Sequence, residues 1–146
     1  MATVTLKHED INGGVAVRVL CDSITLGGTK NIVSKSNANI DGPVEVQTQS
    51  FENPVINMQG VHFVATADYS GSDTILTFAD VLILYKHKYN GSNQVILNVT
   101  YGNTNLTSLS GTDIPVILKT FNLPIKIKQS KGGYLPVGTL TFVETE

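Results

Sequence analysis

At 146 residues the chain can bury roughly 68–70% of its unfolded surface as one domain, with no help from disulfides or metals. Only 15% of residues are charged and the net charge is −2, which excludes a nucleic-acid binder that works by clustered Lys and Arg. A single cysteine, Cys21, rules out an intrachain disulfide framework, and no run approaches the about 18 apolar residues of a membrane span.

Period-two alternation begins at once. Val4, Leu6 and His8 share one face opposite Thr3, Thr5 and Lys7, with no apolar core of a secretory signal among residues 1–10. Val15, Val17 and Val19 alternate with Ala16, Arg18 and Leu20, and Gly13-Gly14 between the two runs reads as a hairpin turn. Cys21 follows as a passive thiol at a strand end.

Over 27–43 the pattern breaks, and a long uneven loop is expected there; a short strand around 31–34 is the alternative. Ile32, Val33 and Ile40 are more apolar than a solvated linker favours. Next, Val44, Val46 and Thr48 alternate with Glu45, Gln47 and Gln49. After Phe51-Glu52-Asn53-Pro54, Ile56 and Met58 alternate with Asn57 and Gln59. Paired as a hairpin, these strands would place Glu45, Gln47, Gln49, Asn57 and Gln59 on one polar, lysine-free face. Pro54, lacking an N–H, belongs at a strand start or edge.

Thr77 and Asp80 have capping-box spacing and predict a helix through residues 81–88, stopped at Asn90-Gly91; a short buried strand is the rival. Strands are expected again over 94–101, 114–128 and 136–144, with a turn at 129–133. With no repeat and no linker, the expectation is one domain over 1–146: mainly β, a two-sheet β-sandwich or rolled barrel with one short flanking α-helix.

Chemistry is sparse. His8, His62 and His87 lack metal-ligand spacing and read as surface residues at strand or helix ends. No nucleophile elbow, phosphate loop or dinucleotide fingerprint occurs. Glu144 and Glu146 lie near a terminus, where solvation keeps carboxylates ordinary, and Glu45 and Glu52 form no catalytic pair. No catalytic residue, metal site or cofactor is therefore expected. The sequons at Asn90, Asn98 and Asn105 are a frequency an Asn- and Thr-rich chain reaches by chance, and Lys126, Lys128 and Lys131 read as a solvated hairpin end. A surface this poor in charge is cheap to desolvate, which favours self-association over a merely uncharged β-protein surface.

Four stretches carry a resemblance: the uneven loop at 27–43, QSFENPVINMQGV at 49–61, the single helix TFADVLILYKHKY at 77–89, and the closing strands YGNTNL at 101–106 and PVGTLTFVET at 136–145. In this order they resemble the major tail tube proteins of tailed bacteriophages and archaeal viruses. The resemblance implies a β-sandwich subunit with a flanking helix, forming homohexameric rings that stack helically into a hollow tube of the virion. Viral DNA would pass through it without sequence-specific binding, and no membrane would be involved. It implies synthesis in the host cytoplasm, contacts with other tail proteins, a lumen lined by Glu45, Gln47, Gln49, Asn57 and Gln59, and a ring-stacking loop carrying Ile32, Val33 and Ile40. The alternative is a β-sandwich binding module, a carbohydrate or receptor adhesin or a decoration protein. Such sites stack sugars on exposed aromatics, and this chain has no Trp.

Overall fold

The structure, a computed structural model, describes residues 2–35, 45–63, 71, 73–88, 93–124 and 137–145. The fold is mainly β, with antiparallel sheets and one short helix. β1 (Ala2–Lys7) and β2 (Val17–Val19) form the first hairpin, Val4 opposite Val19 and Leu6 opposite Val17. The turn that joins them holds Asn12, Gly13 and Gly14 at positive φ of 52°, 63° and 86°. Glycine suits that region because an L side chain there costs about 1–2 kcal/mol.

β3 (Ser23–Gly27), β6 (Val55–His62), β7 (Val95–Tyr101), β9 (Ile114–Asn122) and β10 (Val137–Glu144) complete the larger sheet, ordered β2-β1-β7-β9-β10-β6-β3. The two-residue β8 (Thr104–Asn105) adds to β7. Leu20 bridges His62 in the same register that pairs Ser23 with Gln59 and Thr25 with Asn57. Residues 17–27 are thus one bent strand whose first part lies on β1 and whose second part lies on β6, so the sheet rolls round and meets itself.

The inward side of the roll is apolar: Val4 and Leu6, Leu97 and Val99, Val116 and Leu118, Leu140 and Phe142, Ile56 and Met58 are all buried. Strict alternation puts every second residue of these strands there. Gly138 sits at a register shift, and a Cβ on it would lie 2.7 Å from the Asn122 carbonyl oxygen, so a side chain has no room where β10 crosses β9.

α1 (Phe78–Lys86) begins as its capping box requires. The Asp80 N–H donates to Thr77 Oγ1 at 3.2 Å, and the Thr77 N–H donates to Asp80 Oδ2 at 3.1 Å. Val81 and Leu84, three apart, are buried on one side, which a strand could not arrange. The helix ends at Lys86, ahead of the expected stop, because His87 turns to extended backbone while its N–H still reaches the Ile83 and Leu84 carbonyls. Asn90-Gly91, the turn at 129–133 and the three lysines at 126–131 lie outside the described residues.

β1, β9 and β6 alternate with antiparallel partners, so all three finish at the same end of the barrel. α1 lies across that end. Phe78 stacks on Phe63 just past β6 at 4.4 Å between ring centroids, Tyr85 meets Phe121 of β9 edge-on at 4.9 Å, and His87 meets His8 just past β1 at 4.5 Å.

Candidate self-association surface

The segment expected to be a loop over 27–43 is strand for part of its length. β4 (Lys30–Lys35) pairs antiparallel with β5 (Glu45–Phe51) as a separate two-stranded sheet; Ile40 lies outside the described residues. This also corrects the expected hairpin. β5 does not fold back on β6. β6 pairs with β3 and β10 instead.

The register explains why. Gly27 faces Val55 at the end of the β3–β6 pair, Lys30 faces Phe51 at the start of the β4–β5 pair, and the Glu52 N–H donates to the Thr29 carbonyl at 2.8 Å between them. β3 with β4, and β6 with β5, are two sides of one long ribbon with a jog at 28–29 and 52–54. Residues 52–54 looked like a turn because Pro54 interrupts the alternation. Here proline interrupts a ladder without reversing the chain.

Beyond the jog the ribbon leaves the barrel as an arm of about 20 Å, six residues at roughly 3.3 Å each. It carries Ile32, 55% exposed, and Phe51, 58% exposed, and Leu26 just before the jog is exposed too. An isolated two-stranded ribbon is marginally stable in water, and large apolar side chains displayed on one favour a partner. The outer edge of β3 has no strand against it among the described residues. Its sequence, SITLG, holds none of the charges or prolines that blunt free edges. The corresponding edge of β2 is covered, since the Arg18 N–H bonds Thr74 O at 2.8 Å and the Leu76 N–H bonds Arg18 O at 3.0 Å.

The five predicted lumen residues divide between arm and barrel. Glu45 and Gln47 face Lys35 and Val33 in the β4–β5 register, and Gln49 is the residue that a register shift skips. Asn57 and Gln59 lie on β6, exposed on the outside of the barrel. The lysine-free run does not extend along the arm, because Lys35 of β4 is the register partner of Glu45. On the barrel, however, the structure assembles an uncharged patch that spacing along one strand could not reveal. Ser23 faces Gln59, and Thr25 and Thr141 flank Asn57, with the Thr141 hydroxyl donating to Asn57 Oδ1 at 2.7 Å; Thr120 faces Thr141 from the far side.

Set against known proteins, the chain matches no family model, and no curated protein aligns with it.

Two further expectations are corrected by packing. His8 is 1% exposed, and its ring lies against His87. Glu144, 1% exposed, is anything but a solvated terminal carboxylate. Its Oε1 accepts the Ser110 N–H at 2.8 Å and its Oε2 accepts the Ser108 hydroxyl. Burial by itself would raise the Glu144 pKa, but the donors on Ser108, Ser110 and Leu109 outweigh it and hold the group below its ordinary 4.5. Asn98, one of the sequon residues, is tied down by its own side chain, which donates to Asp113 Oδ1 at 2.9 Å.

A pH dependence follows from Glu144. Its folded pKa lies below the unfolded one, so its stabilisation is complete above pH 4.5 and is lost as pH falls through the folded value. Glu144→Gln is expected to cost about 1–2 kcal/mol at pH 7, the difference between charged and neutral hydrogen bonds. In urea unfolding the gap between the two forms should narrow steadily as pH is lowered below 4.5; a constant gap there would show the charge is irrelevant.

Among the described residues, no three His, Cys, Asp or Glu side chains are placed to hold a metal, and no helix is long and apolar enough to cross a membrane. A cleft of about 370 Å³ near the α1 end is lined by Lys7, His8, Glu9, Gly14, Asn93, Gln94 and Ile96.

Proposed function

We propose that the chain is a structural protein, not an enzyme, whose copies join into rings that stack as the hollow tail tube of a virus. The observation that carries this reading is the arm. A ribbon displaying Ile32 and Phe51 to water, continuous with the uncharged free edge of β3, is built for insertion against another copy. Lateral pairing at β3 would close rings, and the arm, reaching off the barrel, would order against the next ring. The exposed apolar group there is Ile32, one of the stacking residues expected from the sequence, now joined by Phe51.

The hydroxyl and amide patch around Asn57 and Gln59 supplies a wall for the lumen. Its β3, β6 and β10 residues offer no cation to a phosphate backbone, Lys119 beside Thr120 marking its edge on β9, so DNA would slide along them without being held. Homohexameric rings, a virion location and passage of viral DNA without sequence reading belong to the same proposal.

Negative-stain microscopy of concentrated protein tests it. Rings or tubes of uniform diameter are expected. Dispersed particles at millimolar concentration would overturn it, and together with glycan binding would favour a carbohydrate-binding module using an exposed aromatic such as Tyr101.

A further inference from the structure

We infer that buried His8 and half-buried His87 form a proton-operated latch, which fastens the C-terminal end of α1 to the end of β1 and releases it on acidification. The inference is independent of self-assembly. It begins from how α1 is held. Its N-terminal end has the capping box and the Phe78–Phe63 stack, neither of which contains an imidazole. Its C-terminal turn packs through buried Leu84 and the Tyr85–Phe121 contact, and the residue that ends it, His87, adds the T-shaped contact with His8 at 4.5 Å. The last of these contacts alone is made by imidazoles.

The hydrogen bonds set the state of the pair. The Asp10 N–H donates to His8 Nδ1 at 3.2 Å, so that nitrogen carries a lone pair and the ring proton of the neutral form sits on Nε2. His8 Nε2 and His87 Nε2 are both buried without a hydrogen-bond partner. An imidazolium carries N–H on both nitrogens. Protonating His87 would set a buried N–H with no acceptor beside the His8 ring.

The surrounding charges do not cancel this. From the end of β1 and its turn come Lys7, Glu9 and Asp10. Lys86 and Lys88 flank His87 in the chain, and Asn93 and Gln94, before β7, are uncharged. Asp10 Oδ2 lies 3.9 Å from His8 Nδ1, within reach of its charge but beyond hydrogen-bond distance. Burial first, and then His8, push the His87 pKa below its ordinary 6.5, against smaller opposing contributions from the Asn93 backbone, Asp10 and Glu9. Because the folded pKa is lowered, the latch is fully closed above pH 6.5 and weakens as pH falls through the folded value.

The same geometry disfavours a metal at the pair. Coordination through His8 Nε2 would force the ring proton onto Nδ1, where the Asp10 N–H already points.

Hydrogen exchange of the amides of residues 82–87, corrected for intrinsic rates, is the test. Between pH 7.5 and pH 5, protection there should fall roughly tenfold for each unit by which the pKa is lowered, while β9 and β10 keep theirs. His87→Phe keeps a ring against His8 and should abolish the pH dependence. Unchanged protection in the wild-type protein, or an equal fall in His87→Phe, overturns the latch. Should that variant fail to fold, NMR titration of the wild-type imidazoles decides: the His87 midpoint must coincide with the loss of α1 protection, and titration with α1 still protected rules the latch out.

Discussion

The double variant Ile32→Asp/Phe51→Asp should remain monomeric at concentrations where the wild-type protein assembles. Each apolar side chain buried against a neighbour contributes about 1.5–3 kcal/mol, and an aspartate in its place must also be desolvated. Losing both raises the dissociation constant of the contact by about 100-fold or more. Sedimentation velocity and microscopy read this directly. Both positions are more than half exposed in the single chain, so the thermal transition of the monomer should hardly move. Tubes of undiminished length would remove the arm from assembly, and with it the observation on which the proposed function rests.

Phe142→Ala should be the most damaging substitution in the barrel. Phe142 is among the largest fully buried side chains, and it lies on β10 between Ile56 of β6 and Leu118 of β9. Removing a buried phenyl ring costs about 3–5 kcal/mol, through lost transfer energy and the cavity left behind. Against a total stability of about 5–15 kcal/mol, that is a large share. With a denaturant slope of about 2 kcal/mol per molar, the urea midpoint should drop by about 2 M. A drop below about 0.5 M would mean that the neighbouring strands close over the gap and that the packing there is far looser than the burial indicates.

Much of the barrel was legible along the chain, because burial on one face of a strand writes a period of two into the residues themselves. β1, β2, β7 and β10 follow from alternation alone, and the Gly13-Gly14 turn and the Thr77/Asp80 cap from local backbone chemistry. These are short-range effects: each needs only its neighbours in sequence.

Pairing is a long-range property, and there the expectations failed where they did. Nothing in residues 44–59 distinguishes a hairpin turn at 52–54 from a jog in a ribbon. The difference is made by Thr29 and Gly27, which occupy the other side. The polar patch around Asn57 likewise needs Thr25 and Thr141 from distant strands. His8 and Glu144 read as surface residues because both are polar and near chain ends. Only packing shows one ring closed over by His87 and one carboxylate enclosed by the turn at 108–111. Composition and periodicity determined a mainly β domain with one helix and a surface cheap to bury. Which strands meet, which edge stays open and which polar groups are enclosed was decided by the tertiary structure, because those depend on contacts between residues far apart in the chain.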